Sequence, residues 1–334
     1  MQKPFFSIIV PIYNVENYIE KCLRSIDRQT YKKFEVLVID DGSLDNSGTI
    51  AKTFCHSKNN FFYFKKKNSG LAGARNYGFL RARGSYILYI DSDDFIENRL
   101  LEDAYKILKK SNFDFLNFGF DFVDEKGKSF KQFSRFKHSI VYGKNIFKKA
   151  LTEDQIYSVA WNKIYSKDFL LKHKIQFPSI RFNEDSYYSK IVSRFSTNAV
   201  FMSGVYYHAL IRNSSLSRNL NVECFLITNN LVKLEESDFK LSQLPKIFRY
   251  LFHSHVLRIF SRLLMTSSYR MKNYNDFLLC FDFAKNSNFF IYAKDKNVTK
   301  FLPLKNKILV YLCNYPFLLR FIAKILDTLK IRPY

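Results

Sequence analysis

Three carboxylates within four residues, Asp91, Asp93 and Asp94, follow directly on the apolar run Ile87-Leu88-Tyr89-Ile90. Acids this close repel one another unless something positive sits between them. An all-oxygen cluster suits a hard divalent cation, and Mg or Mn bridging substrate phosphates is the natural candidate. The plainer reading is an acidic turn that caps a helix starting near Phe95, because Asp is a frequent cap and turn residue. A second site of the same kind counts against that reading. Val36-Leu37-Val38-Ile39 ends in the pair Asp40 and Asp41, followed by Gly42 and Ser43.

Elements must carry these clusters. The run ending at Ile90 is short, apolar and preceded by the breaker Gly84, as a buried strand would be. Phe6 to Asn14 is a third apolar run, stopped by Pro11. Between that run and the one starting at Val36, Val15 to Thr30 shows helical spacing, with Ile19, Leu23 and Ile26 on one face. Asn14 is a candidate cap for that helix. Strand, helix, strand at this spacing is a βαβ unit, which predicts a largely parallel α/β sheet. Asp45 to Cys55 reads as the next helix and Phe61 to Lys65 as the next strand. Open α/β sheets bind ligands at the carboxyl ends of their strands. Three strand ends would thus deliver Asn14, Asp41 and Asp93 to one edge of one sheet.

Four motifs in this order carry a resemblance. Pro11-Ile12-Tyr13-Asn14, Val38-Ile39-Asp40-Asp41-Gly42-Ser43, Asn68-Ser69-Gly70-Leu71-Ala72-Gly73-Ala74-Arg75-Asn76 and Asp91-Ser92-Asp93-Asp94 resemble family 2 glycosyltransferases. A single Asp-x-Asp is weak evidence, whereas four ordered motifs over roughly the first 100 residues are specific. Trp161-Asn162-Lys163, Arg181-Phe182-Asn183-Glu184-Asp185, Tyr206-Tyr207-His208 and Arg212-Asn213-Ser214-Ser215 extend the resemblance to about residue 215. The C-terminal third carries no pattern of that family. The resemblance implies a GT-A fold, Rossmann-like, with a mainly parallel sheet flanked by helices. It also implies inverting transfer of a hexose from a nucleotide diphosphate, with Mn or Mg as cofactor.

Under that resemblance Asp41 accepts the uracil ring N–H, which favours a UDP-sugar donor. Pro11, Tyr13 and Asn14 line the base or ribose, while Asp40 supports the loop. Asp91 is the ribose or metal-shell acid, Asp93 the direct metal ligand, and Asp94 a cap or acceptor contact. Gly70, Arg75 and Asn76 sit where the family holds the nucleotide. Gly70 allows close backbone approach, and the fork of Arg75 suits a phosphate or base. Inversion needs a general base on the acceptor side. Glu184-Asp185 matches the family's acidic pair, so Asp185 is the expected base and Glu184 its orienting neighbour. The same acids would suit a helix start at Asn183. Trp161, the single tryptophan, is either an acceptor-sugar wall or core. His208 is expected to complete the metal shell or touch the diphosphate, and Arg212 to contact phosphate from a closing loop.

Other signals are dismissed. Gly70 to Gly73 lacks the G-x-G-x-x-G spacing, and the stretch ending Gly127-Lys128-Ser129 has Phe122 where a P-loop needs glycine. His253 and His255 are two apart and lack nearby acids, so they do not read as a zinc site.

The chain has 334 residues, which fits one catalytic domain over 1–218 and an accessory region over 219–334. Aromatics reach 18%, ample for a large core. Five scattered cysteines without C-x-x-C spacing suggest reduced thiols. The first strand opens at about Phe5, too close to the start for a secretory signal, so a cytosolic location is expected. Net charge is +23. From Lys240 to Tyr334 there are 17 Lys and Arg against 4 Asp and Glu, a net +13, in an interrupted helical pattern. Phe248, Leu251, Phe252, His255, Ile259 and Leu263 fall near one face. The longest uncharged run there, Ile308 to Leu319, is 12 residues, short of the roughly 20 that span a bilayer. Apolar faces edged with Lys and Arg suit an anionic membrane surface instead. With such a surface, the resemblance implies a lipid-linked glycan acceptor in lipooligosaccharide or capsule synthesis, at the inner face of a bacterial inner membrane. A basic nucleic-acid-binding protein and an inactive sugar-binding scaffold are the rivals. No nucleic-acid motif is visible, and Asp41, Asp93 and Asp185 are all present.

Overall fold

The computed structural model describes residues 3–134, 139–211, 221–271, 273–286 and 288–328. The chain divides into two compact units, Met1–Asn213 and Ser214–Tyr334.

The first unit opens with β1 (Phe6–Ile12), α1 (Ile19–Asp27), β2 (Phe34–Asp40), α2 (Ser47–His56), β3 (Phe61–Lys65), α3 (Gly70–Arg81) and β4 (Tyr86–Tyr89). It continues with β5 (Phe95–Ile96), α4 (Leu100–Leu108), β6 (Phe115–Val123), β7 (Ser129–Phe133), β8 (Ser139–Tyr142) and α5 (Lys144–Thr152). It closes with β9 (Lys163–Ser166), α6 (Lys167–Lys172), α7 (Glu184–Phe195) and β10 (Asn198–Leu210). Among the described residues one sheet runs β3-β2-β1-β4-β9-β6-β10-β5, with β7 added to β6 and β8 to β10. Its first four strands are mutually parallel. β9 then runs antiparallel to both β4 and β6, and β10 returns parallel to β6. The expected parallel character thus belongs to the half that holds the first motifs.

Burial of both sheet faces explains the unbroken apolar runs. All seven residues of β1 and of β2 are buried. Side chains alternate between faces along a strand. Ile8, Val10 and Ile12 join one cluster with Ile19, Leu23 and Ile26 of α1. Each such aliphatic side chain contributes roughly 1.5–3 kcal/mol on full burial. On the other face α3 lies close: a Cβ added at Gly78 would meet Ile9 Cγ2 at 2.6 Å. α1 starts at Ile19, four residues later than the spacing suggests. Asn14 adopts φ of 50°, and the N–H groups of Val15 and Glu16 go to Ser47 Oγ and Asp45 Oδ2. Ser47 and Asp45 thus satisfy the first N–H groups after Asn14, and Tyr18, not Asn14, stands at the cap position of α1.

The second unit is helical: α8 (Val222–Asp238), α9 (Lys246–Arg270), α10 (Tyr274–Asn286), α11 (Phe289–Lys294), α12 (Lys296–Thr299), α13 (Leu304–Leu312) and α14 (Pro316–Thr328). α9 is buried over most of its circumference, with Phe248, Leu251, Phe252, Val256, Leu257 and Phe260 inside. His253 stacks on Tyr292 at 3.9 Å, while His255 Nδ1 lies 3.2 Å from Arg258. Among the described residues no helix is long and apolar enough to cross a membrane. All five cysteines are buried.

Candidate active site

The end of β4 is shaped into a turn by β10. The N–H of Asp94 donates to the Asp91 carbonyl at 3.0 Å, closing the Asp91–Asp94 turn. Asp94 points inward, accepting from the Tyr207 hydroxyl at 2.6 Å and from the Leu210 N–H at 2.7 Å. The same hydroxyl accepts the Asp91 N–H at 3.1 Å. Tyr207 is buried and stacked on Trp161, ring centres 4.3 Å apart. One tyrosine thus fixes both ends of the turn, and Asp91 and Asp93 stay partly exposed. Burial, followed by the charges of Asp93 and Asp91, pushes the Asp94 carboxyl well above the usual range. Burial and then Asp94, Asp93 and Asp91 do the same to the Cys22 thiol behind the turn.

Arg75 gathers the acids. It lies on α3, wholly buried, with Asp91 Oδ1 at 2.6 Å and Glu184 Oε1 at 3.4 Å, and it also bonds Asp185 Oδ1. Phe177 covers it at 5.0 Å, and that ring stacks on Tyr188 at 3.8 Å. Burial alone would favour neutral arginine. Asp185, Asp91 and Glu184 outweigh that effect and hold the guanidinium charged. Arg75, expected at the nucleotide, has its fork on three carboxylates, one from the turn after β4 and two from α7.

Glu184 and Asp185 begin α7 behind Asn183, which has φ of 64°. Burial, then the neighbouring Asp185 charge, raises the Glu184 carboxyl to about 7. Burial also raises Asp185, against the lowering pull of Arg75. Asp185 Oδ2 accepts the Ala160 N–H at 3.4 Å. The loop carrying Ala160 is pinned by buried Lys163. Its Nζ donates to the carbonyls of Tyr157 (3.0 Å) and Val159 (2.6 Å) and to Asn162 Oδ1 (2.7 Å).

The remaining candidates fall into place as follows. Asp41 is buried. It accepts Lys66 Nζ at 2.6 Å and the backbone N–H groups of Ser69 and Gly70 at the start of α3. A carboxylate offers about four lone-pair sites, and the acid expected at the uracil edge spends part of them on holding the start of α3. Gly70, at φ of 80°, makes the sharp entry that lets its N–H reach Asp41. Asp40 supports the loop as expected, bonding Tyr63 and the Ser43 N–H. Pro11 is buried in β1, whereas Tyr13 and Asn14 are exposed. Asn14 Oδ1 accepts the Leu44 N–H at 2.9 Å. The amide of Asn76 clamps both backbone groups of Phe177 at 2.9 and 3.0 Å, positioning the ring over Arg75. The ring nitrogens of His208 lie 2.7 Å from Asp121 and 3.0 Å from Glu97, and its ring stacks on Phe95. The metal role expected of His208 competes with two bonds that already occupy the ring. Arg212 lies outside the described residues.

The family model for glycosyl transferase family 2 matches residues 7–206. The chain belongs to glycosyl transferase family 2. It is 30% identical over 255 residues to the putative glycosyltransferase EpsH of Bacillus subtilis, covering 74% of this chain and 73% of that one. It is 32% identical over 220 residues to glycosyltransferase GlyA of Streptococcus pneumoniae, over 64% of this chain. That match spans only 31% of GlyA's length. The solved structure of S. aureus TarS 1-349 in complex with UDP-GlcNAc shares the fold, with a TM-score of 0.72 at 20% identity. It aligns over 98% of this chain and 93% of TarS 1-349. The GT-A fold with a helical C-terminal region is thereby established.

Do the residues of this family 2 chain suit a divalent ion? Among the described residues no group of three His, Cys, Asp or Glu is arranged to hold a metal alone. Mg is usually held through one or two carboxylates plus substrate phosphates. The turn meets that description: Asp91 and Asp93 are partly exposed oxygen donors whose charges, after burial, help raise Asp94 and Cys22. Sequence reading missed Tyr207, Lys163 and Phe177 as organisers of the site. Tyr207 and Lys163 stood inside quoted motifs, and only Phe177 carried no local signal.

Proposed function

We propose that this chain is an inverting glycosyltransferase using a UDP-sugar. It moves a hexose or N-acetylhexosamine to a hydroxyl of a lipid-linked glycan during lipooligosaccharide, capsule or related synthesis. Its place would be the cytoplasmic face of a bacterial inner membrane, with an anionic lipid surface as partner. The observation that carries the reading is Arg75, which ties strand-end Asp91 to the Glu184–Asp185 pair. Donor-side and acceptor-side acids thereby share one charge centre. Asp185 removes the acceptor proton, and its raised carboxyl makes it a better base than an ordinary aspartate. Glu184 and Ala160 orient it. Asp93 and Asp91 would hold Mn or Mg, which neutralises the diphosphate leaving group. Tyr13 is the exposed side chain at the strand edge suited to the base. The uridine choice draws on the four motifs and on TarS, solved with UDP-GlcNAc. A cholesterol galactosyltransferase of Borreliella burgdorferi, 24% identical over 85% of this chain, makes a lipid-bearing acceptor reasonable.

The test is a donor screen by nucleotide release over UDP-, GDP- and CMP-sugars with Mn, Mg or EDTA. EDTA-sensitive release from one UDP-sugar is the expected result. Release from a GDP- or CMP-sugar alone overturns the uridine assignment. Absence of both release and donor binding by calorimetry overturns the enzyme reading.

A further inference from the structure

The last two helices leave large apolar side chains in the open. Leu304, Ile308 and Tyr311 recur at helical spacing on α13, and Phe317, Phe321 and Ile325 on α14. Phe317 is 75% exposed and Leu304 74%. The opposite stripes, with Leu309, Val310, Leu319 and Ala323, face inward. In the short link between the helices Tyr315 is also exposed, its ring 5.5 Å from that of Tyr311. Isolated exposed leucines are ordinary, but an exposed stripe of this length marks an interaction surface.

The surroundings select the partner. Lys294 to Thr328 carries seven Lys and Arg against two Asp. Lys296, Lys300, Lys305, Lys307 and Lys324 are exposed, while Arg320 turns inward onto the carbonyls of Met271 and Asn273. We infer that α13 and α14 lie in the headgroup plane of an anionic bilayer, with Phe317 and Phe321 inserted and the lysines on lipid phosphates. A second copy of a chain with net charge +23 would bring like charge against the lysine rim. Nucleic acid matches the charge but leaves the apolar stripe unexplained. α9, whose spacing invites the same role, is occupied by the core of its own unit. The inference gives the membrane partner of the proposed function its surface, and its readout is separate from donor chemistry.

The full chain is floated with vesicles of phosphatidylcholine alone, or with 30% phosphatidylglycerol, at 50 and 500 mM salt. Binding to the anionic vesicles, at least tenfold weaker on neutral vesicles and weakened by salt, is expected. Phe317→Ser with Phe321→Ser should lower anionic binding at least tenfold while donor turnover without vesicles and thermal melting hold. Lys305→Glu with Lys307→Glu should lower it too, through charge alone. Equal binding to both vesicle types, no binding to either, or unchanged binding by both double variants overturns the inference. A dimer in light scattering that the Phe317→Ser, Phe321→Ser variant dissolves would give the face to a second copy and overturn it as well.

Discussion

Arg75 Nη2 lies 2.6 Å from Asp91 Oδ1, the arginine wholly buried and the aspartate a quarter exposed. The guanidinium is therefore inside the protein while the acid it holds reaches the crevice. Any group that binds Asp91 must share it with Arg75, and the other arm of Arg75 holds Asp185.

Replacing Arg75 leaves three acids without their common counter-charge. Breaking a buried ion pair from one side costs about 3–5 kcal/mol. Arg75→Met should lose stability on that scale in urea unfolding. Arg75→Lys should fold better yet lose turnover on the order of a hundredfold, because an ammonium cannot fork between Asp91 and Asp185.

Asp185→Asn keeps size and one of the two acceptor oxygens but removes the base. Donor binding by calorimetry should persist, while transfer falls by roughly 10²–10⁴. An asparagine variant with wild-type transfer would remove Asp185 from the base role.

Glu184 titrates near 7 in the native state, above the ordinary value of about 4.3. Between those values the folded chain keeps a proton that the unfolded chain has shed. Stability from this group therefore falls as pH rises through that window. Glu184→Gln should flatten the drop in urea midpoint between pH 5 and pH 8. A slope equal to that of the wild type would mean that Glu184 titrates normally.

Asp93→Ala should abolish Mn-dependent nucleotide binding while leaving the thermal midpoint within a few degrees. Calorimetry with and without Mn reads the difference. Unchanged Mn dependence would take Asp93 out of the metal shell.

Tyr207→Phe removes a hydroxyl that serves Asp94 and Asp91 together. Leaving buried Asp94 short of a donor costs about 1–3 kcal/mol. The variant should also need more Mn for half-maximal turnover, because the turn that presents Asp91 and Asp93 loosens. A stability loss with no change in Mn requirement would confine Tyr207 to the core.

Much of this arrangement was legible in the sequence. The strand Phe61–Lys65 falls where the spacing put it, and β1, β2 and β4 bring their polar ends to one edge. Periodicity reads burial, and burial of both faces made those strands plain. The direction of Arg75 was not legible. Its partners are 16, 109 and 110 residues away, and no local pattern reports such distances. The hold of Asp41 on α3 was hidden for a related reason: a nucleotide-binding acid and a helix-anchoring acid look alike until the helix is docked. The stripe on α13 and α14 was hidden by the equally apolar α9, since composition does not say which helix is covered.

Gly78 sits one turn beyond Arg75 on α3, where a methyl group would collide with Ile9. The missing side chain sets how deeply the helix sinks toward the sheet, and so the depth at which the guanidinium meets its acids. Drift at residue 78 would thus be constrained by catalysis although it touches no reactant, and a designer seeking to loosen the acidic centre could begin there without altering any charged group.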